Sequence, residues 1–156
     1  MTTKRAKAGA SPKVWVLNGP NLNLLGKREP AIYGRTTLAD IEKACLNRAK
    51  GLGLAVECRQ SNLEGELVTW IQEAKDQAAG LVLNAGAYTH SSIAILDALN
   101  YAQLPTIEVH LSQPLNREPF RHVSYVTKAS SGLISGLGAH GYELALEALA
   151  RLIHKS

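Results

Sequence analysis

Arg28 and Tyr33, five residues apart in "REPAIYG", have the right chemistry for an arginine-activated phenolate base. A phenol with a pKa of about 10 removes protons poorly at neutral pH. A guanidinium beside it favours the phenolate and stays charged itself. Glu108 and His110, two apart in "IEVHLS", share one face of a strand. A carboxylate there fixes the tautomer of the imidazole and favours its protonated form, which suits the histidine to donate a proton. Leu111 and Ser112 follow, with backbone N–H groups and a hydroxyl that suit an anion. A phenolate base, an imidazole acid and amide donors fit removal of a proton followed by loss of a leaving group. Residue types alone define the substrate only as small, anionic and hydroxylated. The competing readings stay open at this point: Tyr33 packed as an apolar plug with Arg28 solvated, His110 an isolated surface imidazole, and His90 a helix-start residue that caps or packs.

Strand ends must hold these side chains. Five short apolar runs, 14–17, 55–58, 80–83, 106–109 and 133–135, read as strands. Most are unbroken rather than alternating, the pattern of parallel strands buried on both faces. Leu38, Ile41, Cys45, Ala49 and Leu52 mark a helical stripe, opened by Thr37 with Asp40 three residues later as a capping box. Leu67, Ile71, Ala74 and Ala78 mark a second, opened by Ser61 and Glu64, and Ile93, Leu96 and Leu99 a third. Tyr142, Ala145, Leu146, Leu149, Leu152 and Ile153 mark the last. This alternation predicts an α/β fold: a flavodoxin-like, doubly wound, five-stranded parallel sheet in one domain. Such sheets bind ligands outside the carboxyl ends of their strands. There the sequence places Asn21, Asn84, His90, Arg117 and Arg121 beside the residues already named. The stretch 19–36, "GPNLNLLGKREPAIYGRT", has no periodicity; a loop this long inside a domain is functional or disordered. It reads as a lid over the crevice.

Composition removes several function classes. Lys4, Arg5 and Lys7, in a first dozen residues without an acid, carry three of the four net positive charges. The folded part, 13–156, therefore has no basic stripe for nucleic acid, and aromatics for base stacking make up only 5% of the chain. Residues 1–12 lack the apolar core of a secretory signal and read as a disordered basic tail. No apolar run approaches the roughly 18–20 residues of a membrane span. Cys45 and Cys58 stand at neither disulfide nor zinc spacing, and a buried, inert Cys45 fits a reducing cytoplasm. Carboxylates are too scarce near the crevice to form a metal site. None of the nine lysines lies in a strand core, which disfavours an imine route. "GLGAHG" (Gly136, Gly138, Gly141) matches the dinucleotide fingerprint, but the fifteen residues after Gly141 leave no room for the second strand and its acidic residue. It reads as a tight turn with close helix–strand packing.

In order and spacing, "LNGPNLNLLGKREPAIYG", "QSNLEGEL", "LNAGAYTHSS", "IEVHLS", "REPFR" and "GLGAHGY" resemble the type II 3-dehydroquinate dehydratases, across about 13–153. The resemblance implies cofactor-free anti elimination of water from 3-dehydroquinate through an enolate, giving 3-dehydroshikimate, in the shikimate pathway or in quinate catabolism. It implies Tyr33 as the base, Arg28 as the group that lowers its pKa, and Asn21 as holder of a water that stabilises the enolate. His110 protonates the departing hydroxyl and Glu108 orients it. Leu111 and Ser112 take the substrate carboxylate, Asn84, His90 and Arg121 its ring hydroxyls, and Arg117 orders the lid. Asp97 reaches a neighbouring subunit's site in a homo-oligomer, a dodecamer built from trimers. Gln113 stands where the family commonly has Asn, Leu115 where His is frequent, and Pro114 stiffens the loop between; His140 also varies, without chemical consequence. Two rivals stay beside this reading. One is a flavin- or nucleotide-binding module, though the first loop lacks a phosphate-cradling pattern. The other is an inactive scaffold, with 113–115 as its motive.

Overall fold

The computed structural model describes residues 9–27 and 30–155, and of Ile32 and Tyr33 only the backbone. Most of the basic tail, and Arg28 in the lid, lie outside the described residues. Five strands, β1 (Lys13–Asn18), β2 (Ala55–Gln60), β3 (Gly80–Asn84), β4 (Thr106–His110) and β5 (Gly132–Ser135), form one sheet in the order β2-β1-β3-β4-β5. Every pair is parallel, as the unbroken apolar runs predict, and the order is the flavodoxin-like one. Four helices, α1 (Leu38–Leu52), α2 (Glu64–Gln77), α3 (Ile93–Ala102) and α4 (His140–His154), cover both faces.

The pleat divides the core in two. Val14, Val16, Val82, Ile107 and Val109 pack on α1 and α4 through Ile41, Cys45, Tyr142, Leu146 and Leu149. Trp15, Leu17, Leu81 and Leu83 pack on α2 and α3 through Leu67, Ile71, Ile95 and Leu99. Most strands run beyond their apolar runs because polar residues continue the ladder: Asn18 pairs with both Gln60 and Asn84, and His110 with Ser135. Those polar ends position the site.

Thr37 forms the expected capping box: its Oγ1 accepts from Asp40 N–H at 3.1 Å and Asp40 Oδ2 accepts from Thr37 N–H at 2.9 Å. The Thr37 backbone bond holds the Asp40 carboxyl below the usual range. Helix α2 departs from expectation: it starts at Glu64 without a side-chain cap, and Ser61 Oγ accepts from Leu63 N–H in the turn ahead of it. Helix α3 departs in phase. Its buried residues are Ile95, Ala98, Leu99 and Ala102, while Ile93 is 57% exposed. Ile95, Ala98, Leu99 and Ala102 form the i, i+3, i+4, i+7 stripe that packs on the core, and Ser92 Oγ caps the helix by accepting from Ile95 N–H at 3.0 Å. The lid is not wholly irregular: it holds a 3-10 turn, Leu22–Leu24, and a single helical turn, Pro30–Tyr33.

Gly136 and Gly138 turn the chain with φ of 82° and 61°, and a Cβ on Gly141 would touch Ile134 at 3.4 Å, which is the close helix–strand packing expected of "GLGAHG". Cys45 is buried, and its contact with Cys58, together with burial, pushes the Cys58 thiol far up. Lys13 begins β1 at the end away from the crevice, and pairs with Glu57 at 3.3 Å. No helix among the described residues is long and apolar enough to cross a membrane.

Candidate active site

Strand β4 delivers two polar side chains to the face opposite Ile107 and Val109. Glu108 is wholly buried there, and His110 is 9% exposed. His110 Nε2–H donates to Glu108 Oε1 at 2.8 Å, and Ser124 Oγ donates to the same oxygen at 2.5 Å. Thr127 Oγ1 donates to Oε2. Burial alone would raise the Glu108 carboxyl, but the bonds from His110, Ser124 and Thr127 outweigh it and hold the group below the ordinary glutamate range. With Nε2 engaged, Nδ1 is the nitrogen left to act on a ligand. The His90 ring stacks on it, centroids 6.4 Å apart and planes 18° from parallel. His90 Nδ1–H donates to the Val123 carbonyl at 2.7 Å, which leaves its Nε2 unspent.

Two loops close tightly beside β4. Gly19 N–H donates to the Asn84 carbonyl at 2.8 Å, and a Cβ on Gly19 would sit 2.4 Å from the Ala85 carbonyl oxygen. Only glycine fits there. Asn21 holds φ at 67°, a left-handed conformation costly for a residue with a Cβ. Asn62 holds it: its Oδ1 accepts from Asn21 N–H at 3.0 Å, and the Gln60 amide donates to that same oxygen. Behind the pocket, Tyr142 O–H donates to Asn18 Oδ1 at 2.6 Å and accepts from Asn84 Nδ2 at 3.0 Å. Complete burial drives the Tyr142 phenol far up, so it stays protonated. Asn84 Oδ1 accepts from Gly86 N–H at 3.2 Å, which fixes the side chain from both ends.

One pocket gathers most of the predicted residues. Asn21, Asn84, His90 and His110 line one part; Leu111, Ser112, Arg117 and Arg121 line the rest. Neither Leu111 N–H nor Ser112 N–H has a backbone acceptor among the described residues. Arg117 Nη1 donates to Ser112 Oγ at 3.4 Å, and Arg121 Nε donates to Glu118 at 2.7 Å. Unspent amides, a hydroxyl and two guanidiniums favour an anionic ligand beside the imidazoles. Glu108 lies beneath the pocket. Asp97 sits on the exposed side of α3, outside it. Arg28 and the Tyr33 side chain fall outside the described residues.

Pro114 also lines the pocket, Gln113 Oε1 accepts from Ser135 Oγ at 3.2 Å, and Leu115 points outward at 65% exposure. Sequence reasoning missed Ser124, Thr127 and Tyr142. Only Tyr142 left a signal, a hydroxyl on a buried stripe that must find a partner. Among the described residues no cluster of three or more His, Cys, Asp or Glu could hold a metal ion.

A flavodoxin-like sheet whose strand ends set a carboxylate-anchored imidazole beside a loop with unspent amides defines an α/β protein of the enzyme class that works at strand ends. Residues 12–150 match the family described as dehydroquinase class II. The chain is 54% identical to 3-dehydroquinate dehydratase 2 of Pseudomonas putida, over 92% of its own length and 97% of that protein's. It is 61% identical to the 3-dehydroquinate dehydratase of a Chelativorans species, covering 88% and 95%. The crystal structure of type II dehydroquinase from Propionibacterium acnes superposes with a TM-score of 0.87 at 47% identity, covering 91% and 98%. The chain belongs to the class II dehydroquinase family.

Proposed function

We propose that this chain dehydrates 3-dehydroquinate to 3-dehydroshikimate by anti elimination through an enolate. The observation that carries the reading is the buried Glu108–His110 pair opening on a pocket with unspent amides at Leu111 and Ser112. Tyr33, as a phenolate favoured by the Arg28 guanidinium, takes the proton beside the ketone, and the C–H electron pair becomes the enolate. Asn21 holds a water against the enolate oxygen. The enolate then collapses to a carbon–carbon double bond, the C–O bond breaks, and the departing hydroxyl takes the His110 Nδ1 proton to leave as water. A proton passing from Tyr33 back to His110 restores the resting state.

The Leu111 and Ser112 amides and the Ser112 hydroxyl hold the substrate carboxylate. Asn84, His90 and Arg121 bind the ring hydroxyls, and Arg117 orders the lid. The enzyme works in the cytoplasm as a dodecamer built from trimers, with Asp97 reaching the adjacent site; the exposed Ile93 and Tyr101 on α3 suit such contacts.

The product is a conjugated enone, so purified protein mixed with 3-dehydroquinate in chelator-treated buffer should give rising near-ultraviolet absorbance. Tyr33→Phe, which keeps the ring and removes the base, should abolish the rise while substrate still binds. A folded wild-type oligomer that gives no rise would overturn the reading.

A further inference from the structure

The Glu108–His110 pair shares a proton between a carboxylate oxygen and a ring nitrogen 2.8 Å apart. With Glu108 wholly buried and His110 nearly so, moving that proton onto Glu108 would discharge both groups, which burial favours. His110 would then be a neutral imidazole that keeps its proton on Nδ1 but is a far weaker acid than the imidazolium. Something must keep the carboxylate ionised.

We propose that Ser124 and Thr127 are positioning residues: their hydroxyls, aimed at the two oxygens of Glu108, keep the pair's proton on His110. This rests on the reading of His110 as the acid. Oε1 accepts from Ser124 as well as His110, and Oε2 accepts from Thr127. Bonds to an ionised oxygen are roughly twice as strong as bonds to a neutral one, so both hydroxyls favour the carboxylate. Ser124 is oriented for this, because its Oγ accepts from Thr127 N–H at 3.0 Å and so turns its own hydrogen toward Glu108. The surroundings offer no substitute. In register, Leu83 of β3 and Leu133 of β5 flank Glu108, and α2 and α3 present apolar side chains to that face. Among the described residues, His110 is the only charged partner of Glu108, with His90 stacked on its ring.

The test needs no substrate. The infrared absorption of protonated Glu108, assigned by its loss in Glu108→Gln, is followed against pH in wild type and in Thr127→Val, Thr127→Ser and Ser124→Ala. Thr127→Val should move the protonation midpoint up by about one pH unit or more, the loss expected for a hydrogen bond to a charged group. The acid limb of kcat for 3-dehydroquinate should move with it, and Thr127→Ser should restore both. Ser124→Ala should act in the same direction. Because it also removes the cap on Thr127 N–H, Thr127→Val decides the outcome, with Thr127→Ala in its place if valine does not fold. A midpoint unchanged in the folded variant, or a shift that Thr127→Ser does not reverse, would overturn the proposal. A wild type without turnover would defeat the proposed reaction, while the infrared midpoint would still decide the role of the two hydroxyls.

Discussion

In the proposed reaction His110 is the acid, and it is a strong one only while its counter-ion Glu108, which is buried from water, stays ionised. Its folded pKa lies below the unfolded one, so the stability it contributes is present above the ordinary glutamate value of about 4.3. That contribution fades as pH falls through the folded value. Glu108→Gln should therefore melt below wild type near pH 7, and the gap in Tm should narrow as pH falls below about 4. A pH-independent gap in thermal scans would mean the carboxylate charge adds nothing. The same variant should lose about a hundredfold or more in kcat, the usual worth of a general acid. The pair itself was legible, because two residues on one strand share a face. Its hydroxyl partners were not: Ser124 and Thr127 lie 16 and 19 positions away, in a segment whose fold depends on what it packs against.

At the scale of elements, the site is a set of strand ends and the turns that follow them. Apolar runs showed all five strands, but several stopped short of residues such as Asn18, Asn84 and His110, which pair in the ladder because neighbouring strands offer partners. The same limit hid the network around Tyr142. Its partners Asn18 and Asn84 lie 124 and 58 positions away, so only the closed fold shows why a tyrosine stands on that stripe. Helix α3 shows the converse: three-residue spacing suggested Ile93 as a core position, while the stripe Ile95, Ala98, Leu99 and Ala102 faces the core instead. Gly19 is the tightest point between the loops after β1 and β3, since an added Cβ would meet a backbone oxygen at 2.4 Å. Gly19→Ala should cost about 1–3 kcal/mol by denaturant titration and raise KM, since Asn21 moves with the displaced loop. An unchanged midpoint and KM would show that the loops yield freely.

At the scale of the whole molecule, the doubly wound sheet brings residues far apart in sequence to one edge, and the β2-β1-β3-β4-β5 order sets the β4 turn beside the loops after β1 and β3. Strand alternation made that arrangement legible before any contact was known. The chemistry of the lid was legible only as residue types, because a proline-broken loop carries no periodicity to place Arg28 against Tyr33. In the proposed reaction two separate groups act in two separate steps, Tyr33 on the C–H bond and His110 on the C–O bond. Exchange of the substrate's axial C–H with heavy water in His110→Ala, followed beside the rate of enone formation, separates the two steps. Exchange that persists while enone formation collapses is the predicted result. Exchange lost in step with turnover would contradict the separation of roles, and with it a discrete enolate between the two steps.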